Sequence, residues 1–188
     1  GDTGIVAEAS RREGHPDNVA ACWYGGFTIS TQTNDSVEVA TFPGNPSWEL
    51  ILAIQPTSLA TKEARALLPD TYSRADAVFN VQRSSLLVAA FAQNRLDLLL
   101  TATQDAIHQP YRTAACPLLD QLLPLANEPQ IASVTLSGAG PSVLIILSET
   151  TNFLEAETRL RQILTPEVEL LSLRIAPGST KTLIDSIV

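Results

Sequence analysis

The stretch Glu13-Gly14-His15-Pro16-Asp17-Asn18 crowds four polar side chains between two apolar, helix-like segments. Gly14 and Pro16 impose an unusual backbone path on it. His15 and Asn18 lie three apart and share a face if the turn is helical. Such a cluster can hold a small polar substrate. It can equally be a capping turn, with Asp17 or Asn18 closing a helix over Val19–Cys22 and His15 exposed.

Two further segments carry chemistry. Ser137-Gly138-Ala139-Gly140-Pro141-Ser142 sits between two apolar runs. Its glycines expose backbone N–H groups that can form an anion-holding concavity, or they make an ordinary hairpin loop. It lacks the third glycine and following helix of a dinucleotide fingerprint, and the Gly-Lys-Ser/Thr end of a Walker loop. Arg65 and Arg112 stand in Thr61-Lys62-Glu63-Ala64-Arg65 and His108-Gln109-Pro110-Tyr111-Arg112. A guanidinium matches a carboxylate or phosphate bidentately, although either arginine can also be a solvated surface residue. His108 has no cysteine or histidine nearby, so a metal role for it has little support. Ser137 and Ser142 lack a nucleophile elbow.

The elements that must position these residues follow from patterning. Residues 4–12 read as the end of a helix. Gly25-Gly26 ends the short helix after Asn18. Phe27–Ser30 and Val37–Ala40 are strands joined by a polar turn at Asn34-Asp35. Trp48–Ile54 is a buried strand closed by Pro56. Thr61 caps a short helix over Lys62–Leu68, which Pro69 stops. Asp76–Asn94, Leu96–Ala106, Pro117–Ala126 and Asn152–Leu164 are expected helices. Ile131–Leu136 and Val143–Leu147 form a hairpin around the glycine loop. Val168–Ile175 and Lys181–Val188 are further strands. A hairpin among mixed elements favours α+β with an antiparallel sheet over a doubly wound parallel sheet.

Composition narrows the function classes. The 188 residues suit one ordinary domain or two small ones. Hydrophobic residues make up 45% and charged ones 17%, a composition that builds a core. With a net charge of −8 and only 12 Lys and Arg, a nucleic-acid partner is not expected. No apolar run reaches membrane-spanning length, and no leader or lipidation motif is visible. The default expectation is a cytoplasmic protein with Cys22 and Cys116 reduced. The chain begins Gly1-Asp2-Thr3 and contains no Met, so it is expected to be a piece of something longer.

Taken together, the motifs resemble a known family. Glu-Gly-His-Pro-Asp-Asn-Val-Ala, Gly-Gly-Phe, Thr-x-x-Ala-Arg-x-x-Leu-Pro, Asp-Ala-Ile-His-Gln-Pro-Tyr-Arg and Leu-Ser-Gly-Ala-Gly-Pro-Ser occur in the order seen in homoserine kinases. These belong to the superfamily of galactokinase, mevalonate kinase and phosphomevalonate kinase. The glycine loop alone indicates the superfamily. The histidine and His-Gln-Pro-Tyr-Arg segments indicate the homoserine member.

The resemblance implies ATP-dependent phosphorylation of L-homoserine on the path to threonine. It implies a ferredoxin-like C-terminal kinase domain, residues 31–188, after a remnant of the N-terminal nucleotide-binding domain, residues 1–30. It implies that His15 and Asn18 touch homoserine and that Arg65 and Arg112 hold its carboxylate. Gly138 and Gly140 would approach substrate or phosphates by backbone, and catalytic roles fall to Asn18 and Arg112. Asp17 reads as structural, because phosphoryl transfer depends on positioning more than on a strong base. The implied cofactors are ATP and Mg²⁺. The family's glycine-serine phosphate loop is missing here and expected upstream of Gly1, so this chain alone is expected to bind no ATP normally. Glu8 is the nearest match to the family's Mg²⁺-binding acid. A homodimer is open for the full-length protein. A kinase for another small alcohol and a non-catalytic amino-acid-binding module stand as alternatives.

Overall fold

The computed structural model describes residues 2–33, 36–57 and 61–178. It divides into two compact units, residues 1–45 with 175–188, and residues 46–174. The expected turn at Asn34-Asp35 and the expected strand Lys181–Val188 lie outside the described residues.

In the first unit, helix α1 (Asp2–Glu13) leads through Gly14–Pro16 into helix α2 (Asp17–Tyr24). Strands β1 (Phe27–Gln32) and β2 (Val37–Phe42) follow as an antiparallel pair, with Phe27 opposite Phe42. Val6 and Ala20 are buried between these elements. Gly25 bridges to Pro177, and the N–H of Gly26 donates to the carbonyl of Ala176.

The second unit contains strand β3 (Leu50–Ile54), helices α3 (Thr61–Ala66) and α4 (Arg74–Ala92), and short helices α5 (Leu99–Ala102), α6 (Gln109–Arg112) and α7 (Pro117–Leu122). Strands β4 (Ile131–Leu136) and β5 (Val143–Leu147), helix α8 (Phe153–Arg161) and strand β6 (Glu169–Leu173) complete it. The sheet order is β4-β5-β3-β6, and every neighbouring pair is antiparallel. Strand, helices, two strands, helix, strand in that order is the split β-α-β arrangement of ferredoxin-like domains. The expected α+β antiparallel architecture is therefore present.

The core of this unit explains its stability. Ile51, Ala53, Val143, Ile145 and Leu147 occupy alternate positions of adjacent strands, so they share one face. Leu119 and Leu122 of α7 and Ala156 and Leu160 of α8 pack in the same cluster. Each fully buried aliphatic side chain contributes about 1.5–3 kcal/mol relative to exposure. Helix α8 starts with a reciprocal capping box, in which Asn152 accepts from the N–H of Glu155 and Glu155 reaches back to the N–H of Asn152.

Several helix boundaries differ from expectation. Asp17 and Asn18 do not cap α2: both lie in its first turn, Pro16 is the N-cap, and no side chain caps it. The expected helix Leu96–Ala106 runs only through a 3₁₀ turn (Leu96–Leu98) and α5, ending at Ala102. Past that point the carboxylate of Asp105 takes the N–H groups of residues 107–109, which a continuing helix would bond to its own carbonyls. Ser73 caps α4 by accepting from the N–H of Asp76. Thr61 opens α3, but its side chain, and with it the expected cap, lies outside the described residues. Among the described residues, no helix is long and apolar enough to cross a membrane.

Candidate functional site

Within the first unit, His15 and Asn18 meet at Asp17. His15 lies before α2, so helical spacing does not align it with Asn18. Instead, Nδ1 of His15 bonds the Asp17 carboxylate, and the N–H of Asn18 donates to the same Asp17 oxygen at 2.9 Å. The opposite ring nitrogen of His15 faces Glu13 at 3.8 Å. Burial pushes the Asp17 carboxyl up, but the Asn18 N–H and the His15 ring outweigh it and hold the group below its ordinary value. A carboxylate held ionised and already bonded is a scaffold for its neighbours rather than a free base. The Asn18 side chain is exposed, with both its donor and its acceptor available to a ligand.

Within the second unit, the two arginine segments come together. Nε of Arg112 donates to the carbonyl of Ala64, the residue before Arg65, at 3.2 Å. Arg112 is only 6% exposed. Its two Nη groups have no protein acceptor among the described residues. Neither Nη is among the buried polar atoms left without a partner, and a guanidinium fork of this kind can take an anion bidentately. Arg65 lies exposed on α3.

The glycine loop lies beside the same segment. Ser137 and Ser142 close it through the N–H of Ser137 and the carbonyl of Ser142 at 2.9 Å. Gly140 spends its N–H on the carbonyl of Ser137 at 3.0 Å. The N–H groups of Gly138 and Ala139 have no partner among the described residues, so they are available donors. Gly138 has φ +60° and open space where a Cβ would stand. Gly140 has φ +83°, and a Cβ there would meet Sγ of Cys116 and Cδ2 of Leu136, each at 3.1 Å. Glycine at 140 thus answers to close packing, and glycine at 138 to backbone conformation. Burial raises the pKa of the Cys116 thiol, partly offset by the Arg112 charge. Cys22 is also a free thiol.

Sequence reasoning missed the network that holds this segment. Asp105 accepts from the Asn80 side chain at 2.7 Å and from the N–H groups of Ile107, His108 and Gln109 at 2.8, 2.9 and 2.6 Å. Asn80 in turn accepts the N–H of Ala106 at 2.8 Å. Burial raises the pKa of Asp105, but the Asn80 amide and these backbone donors together lower it below its ordinary value. The spacing Asp105-x-x-His108-Gln109-Pro110 carries a signal for this: an Asp shortly before a Pro-initiated helix is a side-chain-to-backbone turn.

The implied Mg²⁺ needs hard oxygen ligands. Among the described residues, no group of three or more His, Cys, Asp or Glu could hold a metal. Glu8 is engaged by Arg11 and Arg12, and those partners lower its pKa against a small opposing effect of burial. Among the described residues there is thus no all-protein metal cage; Mg²⁺ more often takes one or two carboxylates together with substrate phosphates. The arrangement can take an oxyanion: the Arg112 guanidinium and backbone N–H groups of the glycine loop stand in neighbouring segments.

Comparison with known proteins recovers the resemblance drawn from the motifs. Residues 87–165 match the family described as GHMP kinases C terminal, a span that includes Arg112 and the glycine loop. The chain is 45% identical over 142 residues to the homoserine kinase of Solibacter usitatus (strain Ellin6076), covering 75% of this chain and 46% of that protein. It is 36% identical over 182 residues to the homoserine kinase of Clavibacter michiganensis subsp. michiganensis, covering 96% of this chain and 57% of that protein. The crystal structure of homoserine kinase from Cytophaga hutchinsonii superposes with a TM-score of 0.72 at 25% identity, covering 87% of this chain and 52% of that one. The structure of a putative homoserine kinase from Listeria monocytogenes shares the fold, with a TM-score of 0.72 at 23% identity and 95% and 59% coverage. The chain spans about half the length of the curated relatives it matches.

Proposed function

We propose that the protein carrying this chain phosphorylates L-homoserine with ATP, and that this chain supplies the homoserine-binding part. The observation that carries the reading is Arg112, a buried residue beside the glycine loop whose Nη groups have no protein acceptor among the described residues. Homoserine has one carboxylate, and a preplaced arginine fork is its natural clamp. The homology to homoserine kinases supports the same substrate. In this reading Arg65 adds a second, exposed contact to the carboxylate, while His15 and Asn18 contact the rest of the amino acid. In the same reading, the N–H groups of Gly138 and Ala139, unpaired among the described residues, face an oxyanion.

ATP supplies the phosphoryl group. The homoserine hydroxyl oxygen forms a bond to the γ-phosphorus as the bond to the ADP oxygen breaks, and the hydroxyl proton leaves to solvent. What this chain contributes is orientation of the acceptor, the main requirement of phosphoryl transfer. A homodimer and a cytoplasmic location belong to the same reading.

The test is turnover by the full-length protein with ATP and a panel of small alcohols, followed by phosphorus NMR of the product. O-phosphohomoserine as the preferred product supports the reading. Preference for a mevalonate-type acid, or homoserine binding by calorimetry without turnover, overturns it in favour of another substrate or a non-catalytic module.

A further inference from the structure

Gln109 is a buried polar residue, 8% exposed, with every polar group engaged. Its side-chain oxygen accepts the N–H of Leu136 at 3.0 Å, and its side-chain amide donates to the carbonyl of Thr103 at 3.3 Å. Its own N–H is held by Asp105, and its carbonyl accepts from Oγ1 of Thr113 at 2.8 Å. Leu136 is the last residue of β4, an edge strand of the four-stranded sheet, and the glycine loop starts at the next residue. An outward N–H on an edge strand has no strand to bond. Gln109 fills that role with a side chain.

Seven residues on, Cys116 touches the loop from its other end, where a Cβ on Gly140 would come within 3.1 Å of Sγ. Arg112 lies between these two points of contact. The segment 109–116 is therefore fastened to the glycine loop on both sides of the guanidinium. Asp105 and Asn80 fasten its start to α4.

We infer that Gln109 is a positioning residue: its bond to the Leu136 N–H locks Arg112 and the glycine loop into one rigid anion-binding unit. Gln109 touches no substrate. It sets the distance between the guanidinium and the loop's free N–H groups, so its loss misplaces the clamp without removing any of its donors. The inference rests on the proposed reaction only for its kinetic readout.

The test uses the full-length protein and Gln109→Leu, which keeps the bulk and removes the acceptor. KM for homoserine should rise by roughly ten- to a hundredfold, the scale of a misplacement of about 1 Å, with KM for ATP unchanged. Loss of folded enzyme alone would lower kcat per total protein and leave both KM values as they were. Amide hydrogen exchange gives a second readout. In the wild type, the Leu136 amide should be protected like that of Ile145 inside the sheet. In Gln109→Leu it should exchange at least about tenfold faster, with Ile145 unchanged. An unchanged homoserine KM in a folded variant overturns the inference, as does a Leu136 amide that exchanges at open-loop rates in the wild type. Should Gln109→Leu not fold, the wild-type amide decides. If the wild-type protein does not phosphorylate homoserine, the proposed function fails and the exchange experiment still judges the tie.

Discussion

Arg112 donates from Nε to the backbone carbonyl of Ala64 at 3.2 Å, across 48 positions of sequence. That bond orients a guanidinium whose outer nitrogens have no protein acceptor among the described residues. It also brings Arg65, the neighbour of Ala64, into the vicinity of a segment with which it shares no local sequence signal. Two arginine segments far apart in the chain are thereby brought together, with Arg65 exposed and Arg112 buried.

Arg112→Lys in the full-length protein keeps the charge and loses the fork. The kcat/KM for homoserine should fall by about a hundredfold, the order of one lost charge-assisted bidentate contact. Steady-state kinetics at saturating ATP measures it. An unchanged value would remove Arg112 from the substrate contact.

Asp105→Asn should destabilise the protein by about 2–3 kcal/mol at pH 7, because an amide cannot accept from all four donors. The pH dependence follows from the lowered pKa. A carboxyl whose folded pKa lies below its unfolded value stabilises the fold above the unfolded pKa. That contribution is lost as pH falls through the folded one. The gap between wild type and variant should therefore narrow on acidification from about pH 4 downward. Urea unfolding across that range checks it, and a gap that widens would contradict the hydrogen-bonded carboxylate.

The two loop glycines should respond unequally to alanine. Gly138→Ala carries only the left-handed backbone penalty, about 1–2 kcal/mol, since nothing lies within 4 Å of its Cβ position. Gly140→Ala adds crowding against Cys116 and Leu136 and should cost about 1 kcal/mol or more beyond that. Denaturation midpoints of the two variants, compared at equal m-value, decide the order.

In the core, Leu119→Ala removes a side chain that is fully buried under the sheet. A loss of about 2–5 kcal/mol is expected from lost burial plus the cavity left behind. The exposed Leu154, 70% accessible on α8, should tolerate alanine within about 0.5 kcal/mol. Thermal unfolding of both variants tests whether α7 anchors the sheet.

Much of the architecture was legible in the residue pattern. The apolar, β-branched runs at 131–136 and 143–147, separated by a glycine loop, point to an antiparallel hairpin. The long pattern within 76–94 forced a helix, found at Arg74–Ala92. These signals act over a few residues, so they survive without knowledge of the fold. Neither Asp17 nor Asn18 caps α2, because Asp17 bonds His15 and Asn18 instead, and propensity alone does not rank those partners. Helix Leu96–Ala106 was overextended because Asp105 competes for backbone donors that lie ahead of it in the chain.

The identity and order of the motifs belong to the linear chain, and they were enough to suggest a homoserine kinase relative. Which side chains meet does not belong to it. The bonds from Arg112 to Ala64 and from Gln109 to Leu136 span 48 and 27 positions. The first joins α6 to α3; the second exists because the split β-α-β topology returns β4 beside the segment that follows α5. Burial then raises the cost of any polar group left without a partner, and so selects the pairings. The same burial makes an arginine that local sequence reads as solvated a buried residue tied to the Ala64 carbonyl.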